Sequence, residues 1–376
     1  MLNSLDDYPV HQTPEPLAQA ATSDRNLYDR TWFNGYAQDA SYYFGLGMAI
    51  YPHRNVLDAS FSVVRKGGRQ HCVHLSRRAP QERTDMSVGP LRIEIEEPML
   101  RSRIVLDDND SGLACDLTFS GRTACIQEGR QTLYDGARRM MDATRFAQFG
   151  AWSGVIQTPD GEIKVDPAEC QATKDRSWGV RPVGEPVTDG APAAPRAFFF
   201  LWAPLFWDDH VSHAIFFDGT RGEPLHREGL TAPLYAAEAE VPGVEDGRVA
   251  HQAGAAHRLR YVPGTRLVRE AEIDLLGLDG SKRTIELTPE LTFQFKGLGY
   301  GHPKYRQGAW QGELALGHES FDPATLDRLA PENLHVQQVV RARDSEGRSG
   351  IGALEHILIG PYAPSGFEAF LDGARA

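Results

Sequence analysis

The chain has 376 residues, of which 39 are Lys or Arg and 51 are Asp or Glu, so its formal net charge is −12 at pH 7. This balance argues against a nonspecific binder of nucleic acid or of anionic membranes, because such proteins need a basic surface. The 41% hydrophobic content argues against a mainly disordered chain, and the length suits two domains or one large barrel.

The chain contains no apolar run as long as the roughly 20 residues of a membrane-spanning helix. The strongest run, at 197–207, is too short and contains Pro204. Residues 1–16 include three acidic residues and no Lys or Arg, unlike a secretory signal. We therefore expect a cytoplasmic protein without a membrane span.

Short segments rich in Val, Ile, Phe, Tyr and Trp run along the whole chain, separated by many of the 37 Gly and 24 Pro residues. Several alternate apolar and polar residues, as half-buried strands do. They predict strands at 60–64, 91–97, 113–119, 154–157, 258–262, 284–287, 291–295 and 336–341. Helical periodicity is weaker and predicts helices only at 134–149 and 366–375.

A stretch rich in Pro, Gly and Ala between Pro182 and Arg196 predicts a linker, since proline lacks the N–H donor that a sheet interior needs. It divides the chain into predicted domains at 1–185 and 186–376. The sequence Gly-Ala-Trp-x-Gly at 150–154 recurs at 308–312, which indicates either an internal duplication or a chance match. We predict an all-β fold of two tandem antiparallel β-barrels with few short helices.

The four cysteines are widely spaced and include no CxxC pair, which predicts packed thiols rather than a zinc ribbon or a disulfide scaffold. The P-loop, HExxH, GxSxG and EF-hand motifs are absent from the sequence, so the corresponding nucleotide, metal and α/β-hydrolase chemistries lose support. The pairs His71 with His74 and His210 with His213 have a spacing that puts the two rings on opposite faces of a strand. We predict no metal site and no cofactor.

The segment 174–182 concentrates an acid, two arginines and an indole just before the linker. A carboxylic acid in a dry cavity is a good proton donor, and an adjacent indole face stabilises developing positive charge. Asp175 and Trp178 supply these two groups. The alternative is an interdomain clamp in which Asp175 pairs with Arg176 or Arg181 and Trp178 packs in the interface.

Three patterns together resemble one known family. They are Asp-x-x-Trp-Gly at 175–179, Gly-Tyr-x-His-Pro followed by Gly-x-Trp-x-Gly at 299–312, and Gly-x-Gly-x-Leu-Glu at 350–355. The chain resembles the carotenoid 1,2-hydratase-type (AttH-like) superfamily of tandem lipocalin-like proteins, and is most similar to its uncharacterised bacterial members. The resemblance implies two calycin-like barrels, and it implies hydration of an isoprenoid alkene, kievitone-type hydration or a pericyclic reaction. Arg176 stands where carotenoid hydratases of this type usually carry histidine, which departs from the carotenoid pattern.

The resemblance makes Asp175 the candidate proton donor and Trp178 the residue that shields a cation. Local chemistry in the rest of the chain adds further candidates, each with a structural role as its alternative. They are the catalytic candidates His302 and Glu355, and the substrate-binding candidates Tyr36, Tyr300, Tyr305, Trp310 and His335. The predicted partner is a hydrophobic small molecule, with no nucleic acid and no membrane.

The predicted function is a cofactor-independent hydratase or lyase that adds water to, or removes it from, an alkene of a hydrophobic isoprenoid or aromatic natural product by acid catalysis. Two alternatives remain. A non-catalytic carrier of a lipophilic molecule needs only the barrels, since a barrel of about eight strands can enclose one small ligand. An intramolecular cyclase needs mainly a shaped pocket.

Overall fold

The computed structural model describes residues 2–11, 16–17, 19–184 and 196–375. Within these ranges the chain forms 22 β-strands and seven short 3-10 helices. Most of the predicted linker, and the boundary between residues 185 and 186, lie outside the described residues.

The chain divides into two compact units. The first consists of Met1–Val187, Tyr235–Asp246 and Gly297–Phe321, and the second of Thr188–Leu234, Gly247–Lys296 and Asp322–Ala376. The predicted domain ranges 1–185 and 186–376 stay a prediction.

The first unit contains one antiparallel sheet of 13 strands. Its strands are β1 (Leu27–Ala37), β2 (Tyr42–Tyr51), β3 (Val56–Arg65), β4 (Gln70–Arg78), β5 (Ser87–Val88), β6 (Leu91–Glu97), β7 (Arg101–Leu106), β8 (Ala114–Gly121), β9 (Ile126–Asp135), β10 (Arg138–Thr158), β11 (Gly161–Val165), β12 (Cys170–Val180) and β20 (Leu314–Phe321). The order across the sheet is β20-β4-β3-β2-β1-β12-β10-β8-β7-β6-β5, and β9 and β11 pair with β10.

The second unit contains one antiparallel sheet of nine strands, in the order β16-β15-β14-β13-β22-β21-β19-β18-β17. Its strands are β13 (Phe198–Phe206), β14 (His210–Asp218), β15 (Pro224–Pro233), β16 (Ala250–His251), β17 (Gly254–Tyr261), β18 (Val268–Leu276), β19 (Lys282–Gln294), β21 (Val336–Asp344) and β22 (Ser349–Ile359). The 3-10 helices are Ser4–Asp7, Pro52–Arg54, Glu238–Glu240, Phe295–Leu298, Pro323–Thr325, Pro331–Asn333 and Ala363–Ser365.

Each sheet curls into a nearly closed barrel, which confirms the predicted all-β, tandem lipocalin-like fold class. Alternate residues of the strands point into each barrel, as the period of two requires. The core of the first unit includes Phe33, Phe44, Phe61, Phe119 and Trp152, none more than 1% exposed. Large side chains therefore fill the interior of this barrel.

The predicted helix at 134–149 is wrong. The segment forms the end of β9, a tight turn and the first half of β10, with Asp135 paired to Arg138. Gly136 lies in this turn at φ 55°, a conformation that favours glycine and suits a two-residue hairpin. Strand β10 then pairs with β12 and β8. Sheet pairing thus outweighs a weak local helical pattern.

The predicted helix at 366–375 is also wrong, because the described part of this tail is irregular. Its backbone carbonyls bind a side chain instead of forming helical hydrogen bonds. The guanidinium of Arg266 donates to the carbonyl oxygens of Ala369 and Asp372 and to the Asp372 carboxylate at 2.6 Å. Gly366 begins the tail at φ 71°.

The two Gly-Ala-Trp-x-Gly segments occupy different structural positions, which favours the chance match over the internal duplication. Trp152 lies on β10, is 0% exposed, and donates from Nε1 to the Asn34 carbonyl at 2.7 Å. Trp310 lies outside the strands, is 47% exposed, and packs on Arg78. Both segments belong to the first unit.

This difference predicts unequal costs for the same substitution. Trp152→Phe should lower the free energy of unfolding by about 2 kcal/mol, because it leaves a small cavity and removes the hydrogen bond to the Asn34 carbonyl. Trp310→Phe should change it by less than about 0.5 kcal/mol. Urea unfolding of the two variants measures both values, and equal costs would contradict the assignment.

All four cysteines lie within the described residues, are buried and form no disulfide, which confirms the prediction of packed thiols. Within the described part of the chain, no helix has the length and apolar character needed to cross a membrane.

Candidate functional site

A cavity lies on the first unit against the face of strands β1 to β4 that points away from the core. Register places Gly47 opposite Ser60, and Ser60 opposite His74, in neighbouring strands. Directly paired residues share a face, so these positions form a row across the sheet. The enclosed part of the cavity is small, with about 20 Å³ of space for the centres of water-sized molecules, and it opens to solvent at its mouth. It is lined by Arg30, Gly47, Asp58, Ser60, His74, Leu75, Ser76, Leu298, Tyr305, Arg306, Gln307, Ala309, Gln311 and Ala315.

Two glycines make room for the side chains of this site. A Cβ at Gly47 would lie 2.5 Å from Arg30 Nη2, so the missing side chain lets the guanidinium cross β2. A Cβ at Gly317 would lie 2.1 Å from the Tyr305 hydroxyl, so Tyr305 lies against bare backbone of β20.

Asp58 is the titratable acid of the cavity. The Gly308 N–H donates to Oδ2 at 2.6 Å, and the Tyr51 hydroxyl donates to Oδ1 at 3.3 Å. Burial raises the pKa of Asp58 to about 6, although the Gly308 hydrogen bond and the nearby charge of Arg30 oppose this rise. This carboxyl therefore changes protonation close to neutral pH.

His74 lies beside Asp58's strand and is held from two sides. Its Nδ1 lies 3.0 Å from the Ser60 hydroxyl, and its Nε2 lies 3.5 Å from Glu319 Oε1. Its ring stacks on Tyr305 with 4.6 Å between the centroids. Burial lowers the pKa of His74 more than Glu319 raises it, so the ring is neutral near pH 7 and can accept a proton.

His302 positions Glu319. Its Nδ1 accepts the backbone N–H groups of Lys304 and Tyr305 at 3.0 and 2.8 Å, which places the ring proton on Nε2. Nε2 then donates to Glu319 Oε1 at 3.1 Å. Burial raises the pKa of Glu319, but hydrogen bonds from His302 and His74 outweigh it and hold this pKa well below its usual range. Glu319 is thus a fixed carboxylate between two histidines.

Three of the residues predicted from sequence meet at this cavity. Tyr305 lines it, His302 contacts both His74 and Tyr305, and the Tyr300 hydroxyl accepts a hydrogen bond from Arg30 Nη1. All three belong to the segment 297–321 of the first unit. Their catalytic and binding roles stay predictions.

Asp175, Trp178 and Tyr36 lie elsewhere on the first unit. Asp175 accepts from Arg145 Nη2 at 2.7 Å, and Trp178 stacks on His11 with 3.6 Å between the ring centroids. Tyr36 is 0% exposed and stacks on Tyr43, and burial raises its pKa well above the usual value.

The clamp alternative predicts Arg176 or Arg181 as the partner of Asp175, and both are wrong. Successive residues of β12 point to opposite faces, so Arg176 cannot reach Asp175 and instead binds Asp29 at 2.8 Å. Arg181 lies over the Tyr28 ring and donates to Gln307. The partner is Arg145 on the neighbouring strand β10.

Two predicted residues meet in the second unit, and one lies apart in the first. His335 Nε2 lies 2.8 Å from Glu355 Oε1, and Gln337 donates to Glu355 Oε2 at 3.1 Å. The His335 ring stacks on Phe295 with 4.2 Å between the centroids. Trp310 lies on the surface of the first unit and does not line the cavity.

Of the residues that could hold a metal, Cys72, His74 and Glu319 offer ligand atoms within 4.8 Å of one another. Thiolate, imidazole and carboxylate are ligands that suit Zn²⁺. Hydrogen bonds within the protein also account for this grouping, since Cys72 Sγ lies 3.1 Å from Ser62 Oγ and Glu319 accepts from His302. The predicted absence of a metal site stays a prediction.

Sequence reasoning missed Arg30, Asp58 and Glu319, and it noted His74 only as one of a histidine pair. The sequence carries a usable signal for Arg30 and Asp58. Each is a charged residue in a strand that also carries several large apolar residues, where a charge is expensive unless it has a role. Polar neighbours such as Thr31 and Ser60 weaken this signal. Glu319 carried no such signal, because its strand is largely polar.

A family model matches residues 2–368 and is described as "Family of unknown function (DUF8625)". The chain belongs to this family. A search of curated protein sequences finds no match.

Solved structures show which folds this member of the family is similar to. Kievitone hydratase from Nectria haematococca aligns with a TM-score of 0.52 and 12% identity over 88% of each chain. A protein described as AttH from Nitrosomonas europaea aligns with a TM-score of 0.53 and 12% identity over 88% of this chain and 92% of that one. These likenesses support the tandem lipocalin-like, AttH-like fold. Membership of the carotenoid 1,2-hydratase-type superfamily stays a prediction.

Proposed function

We propose that the protein is a cofactor-independent hydratase or lyase that adds water to, or removes it from, an alkene bound in the cavity of the first unit. One observation carries the proposal: the Asp58 carboxyl, with a pKa of about 6, faces the same cavity as the neutral base His74. Proton transfer to and from a substrate requires an acid and a base in the same site, and the acid is most effective when its pKa lies near the working pH. The reaction class named for the kievitone enzyme is compatible with this pair.

The roles follow from the hydrogen bonds. Asp58, protonated in part of the population near neutral pH, gives its proton to the alkene. His74 takes a proton from the attacking water, directly or through Ser60, whose hydroxyl lies 3.0 Å from Nδ1. Glu319 orients His74 and stabilises the imidazolium that forms, and His302 keeps Glu319 in place.

This proposal moves the proton donor from Asp175 to Asp58. Asp175 accepts a hydrogen bond from the guanidinium of Arg145 at 2.7 Å, so its carboxylate is already engaged in an ion pair. Asp175 remains the alternative donor that the experiment below separates from Asp58.

The packed interior of the first barrel favours an enzyme over a carrier. Phe33, Phe44, Phe61, Phe119 and Trp152 occupy the space that a lipophilic ligand would need in a barrel of this type. The cavity lies on the other face of the sheet. Its polar lining suits proton transfer rather than the burial of a large apolar ligand.

The test is incorporation of labelled oxygen. The purified protein is incubated in H₂¹⁸O with a lipophilic extract of its host cells, and products are followed by mass spectrometry. We expect a product that contains one ¹⁸O atom with the wild type and with Asp175→Asn, and none with Asp58→Asn. Circular dichroism checks that both variants fold.

The other outcomes assign the alternatives. Labelling that is lost in Asp175→Asn and kept in Asp58→Asn would restore the donor predicted from sequence. A bound compound that never changes would favour the carrier, and a change of isomer without labelled oxygen would favour the cyclase.

A further inference from the structure

Arg30 is a buried cation whose charge the described residues leave incompletely satisfied. It is 2% exposed, and its Nη1 donates to the Tyr300 hydroxyl while the guanidinium lies 4.6 Å from the centre of the Tyr300 ring. Its Nη2 has no hydrogen-bond partner among the described residues. An arginine stays charged in a protein, so a buried N–H without an acceptor is costly and needs an explanation.

Other buried arginines of this chain form a hydrogen-bonded ion pair with a carboxylate, which Arg30 does not. Arg176 is 0% exposed and binds the Asp29 carboxylate at 2.8 Å. Arg266 is 2% exposed and binds the Asp372 carboxylate at 2.6 Å. Arg30 donates its side-chain hydrogen bond to a phenol, and the nearby Asp58 carboxyl interacts with it through charge without a direct hydrogen bond. A guanidinium recognises an anionic or carbonyl oxygen best.

Arg30 is one of the residues that line the cavity. Arg30, Asp58, Ser60 and His74 all line it, and the absent side chain of Gly47 leaves the space that Nη2 occupies. A ligand oxygen that met Nη2 would therefore lie in the same cavity as the proposed acid and base.

We propose that this cavity takes an alkene conjugated to a carbonyl or carboxylate group, with the carbonyl-type oxygen on Arg30 Nη2. This inference rests on the proposed function and names its substrate class. Addition of water then passes through an enolate rather than a carbocation. A buried guanidinium stabilises negative charge that develops near it and opposes positive charge.

The steps balance as follows. The water oxygen bonds to the β-carbon, and His74 takes one water proton. The π electrons of the alkene move toward the carbonyl oxygen, which becomes the enolate oxygen on Arg30. The enolate re-forms the carbonyl and takes the Asp58 proton at the α-carbon. The proton on His74 then returns to the Asp58 carboxylate through cavity water, so one water has been added.

Binding of two small probes tests the oxygen subsite. Crotonate has an alkene conjugated to a carboxylate, and crotyl alcohol has the same carbon chain with no carbonyl group. Isothermal titration calorimetry at pH 7.5 should give crotonate at least about tenfold tighter binding to the wild type. Arg30→Met should remove this preference, and the exposed control Arg78→Met should keep it. Equal binding of the two probes by the wild type would by itself overturn the proposal, whatever the variants show.

Turnover separates this inference from the proposed function. The wild type should convert hex-4-en-3-one to 5-hydroxyhexan-3-one. Gly47→Ala should lose most of this rate, because the added methyl group displaces Arg30 Nη2. This variant keeps the inference testable if Arg30→Met does not fold. Labelled oxygen that enters an unconjugated alkene in the host extract would overturn the substrate class while the hydratase proposal stands. A crotonate preference with no hydration of any compound would keep the subsite and overturn the hydratase proposal.

Discussion

Asp58→Asn is expected to stabilise the protein above pH 6 while it removes the proposed activity. The pKa of Asp58 rises from its usual value of 3.8 to about 6 because the carboxyl is buried. At about 1.4 kcal/mol per pKa unit, the ionised carboxyl costs at most about 3 kcal/mol of stability. Asparagine keeps an acceptor for the Gly308 N–H and carries no charge, so it avoids this cost.

The sign of the effect is set by which state binds the proton. Between about pH 4 and 6 the folded protein holds the Asp58 proton and the unfolded chain has lost it, so the stability of the wild type falls as pH rises through this window. Calorimetry should show a Tm for Asp58→Asn that is roughly 5 °C above the wild type at pH 8 and equal to it at pH 4. A Tm difference that is independent of pH would contradict a raised pKa at this position.

Asp7→Ala is expected to cause the largest loss of stability. Asp7 and Lys174 form an ion pair at 3.0 Å, and their side chains are 2% and 0% exposed. Asp7 also accepts the Met99 N–H at 2.7 Å. Removal of one partner leaves a buried ammonium without its counter-charge, which costs about 3–5 kcal/mol. Urea denaturation of the full chain measures this loss.

A matched variant shows whether burial is the cause. Glu313→Ala removes the partner of Arg78 in an ion pair whose side chains are 70% and 52% exposed, and it should cost less than about 1 kcal/mol. The double variant of Asp7→Ala with Lys174→Met should recover part of the loss, because it removes the buried charge together with its partner. A loss as small for Asp7→Ala as for Glu313→Ala would show that the N-terminal segment does not bury this pair.

Local pattern was sufficient for the fold class. The period-two alternation of segments such as 91–97 and the spacing of Gly and Pro predict an all-β chain, because they depend only on neighbouring residues. The same reasoning failed at 134–149, where pairing with β12 and β8 decides the structure and no local signal reports it. It also failed for Trp310, since four matching residues do not determine burial.

Prediction of the candidate site from sequence meets the same limit, because local patterns do not report contacts between distant segments. Tyr300, His302 and Tyr305 were predictable as a group because they are close in sequence. Their partners were not predictable, since Arg30 and Glu319 are separated by hundreds of residues and meet only through sheet pairing and the return of the segment 297–321 to the first unit.

The sequence by itself determined a strand-rich chain with packed thiols, a negative net charge and a set of polar residues able to transfer protons. The tertiary structure alone decided which of these residues meet. Burial gives Asp58 its raised pKa, strand register puts Ser60 opposite His74, and Arg30 Nη2 has no hydrogen-bond partner among the described residues. The physical reason is that pKa and charge compensation depend on distances across the sheet, which no local pattern contains.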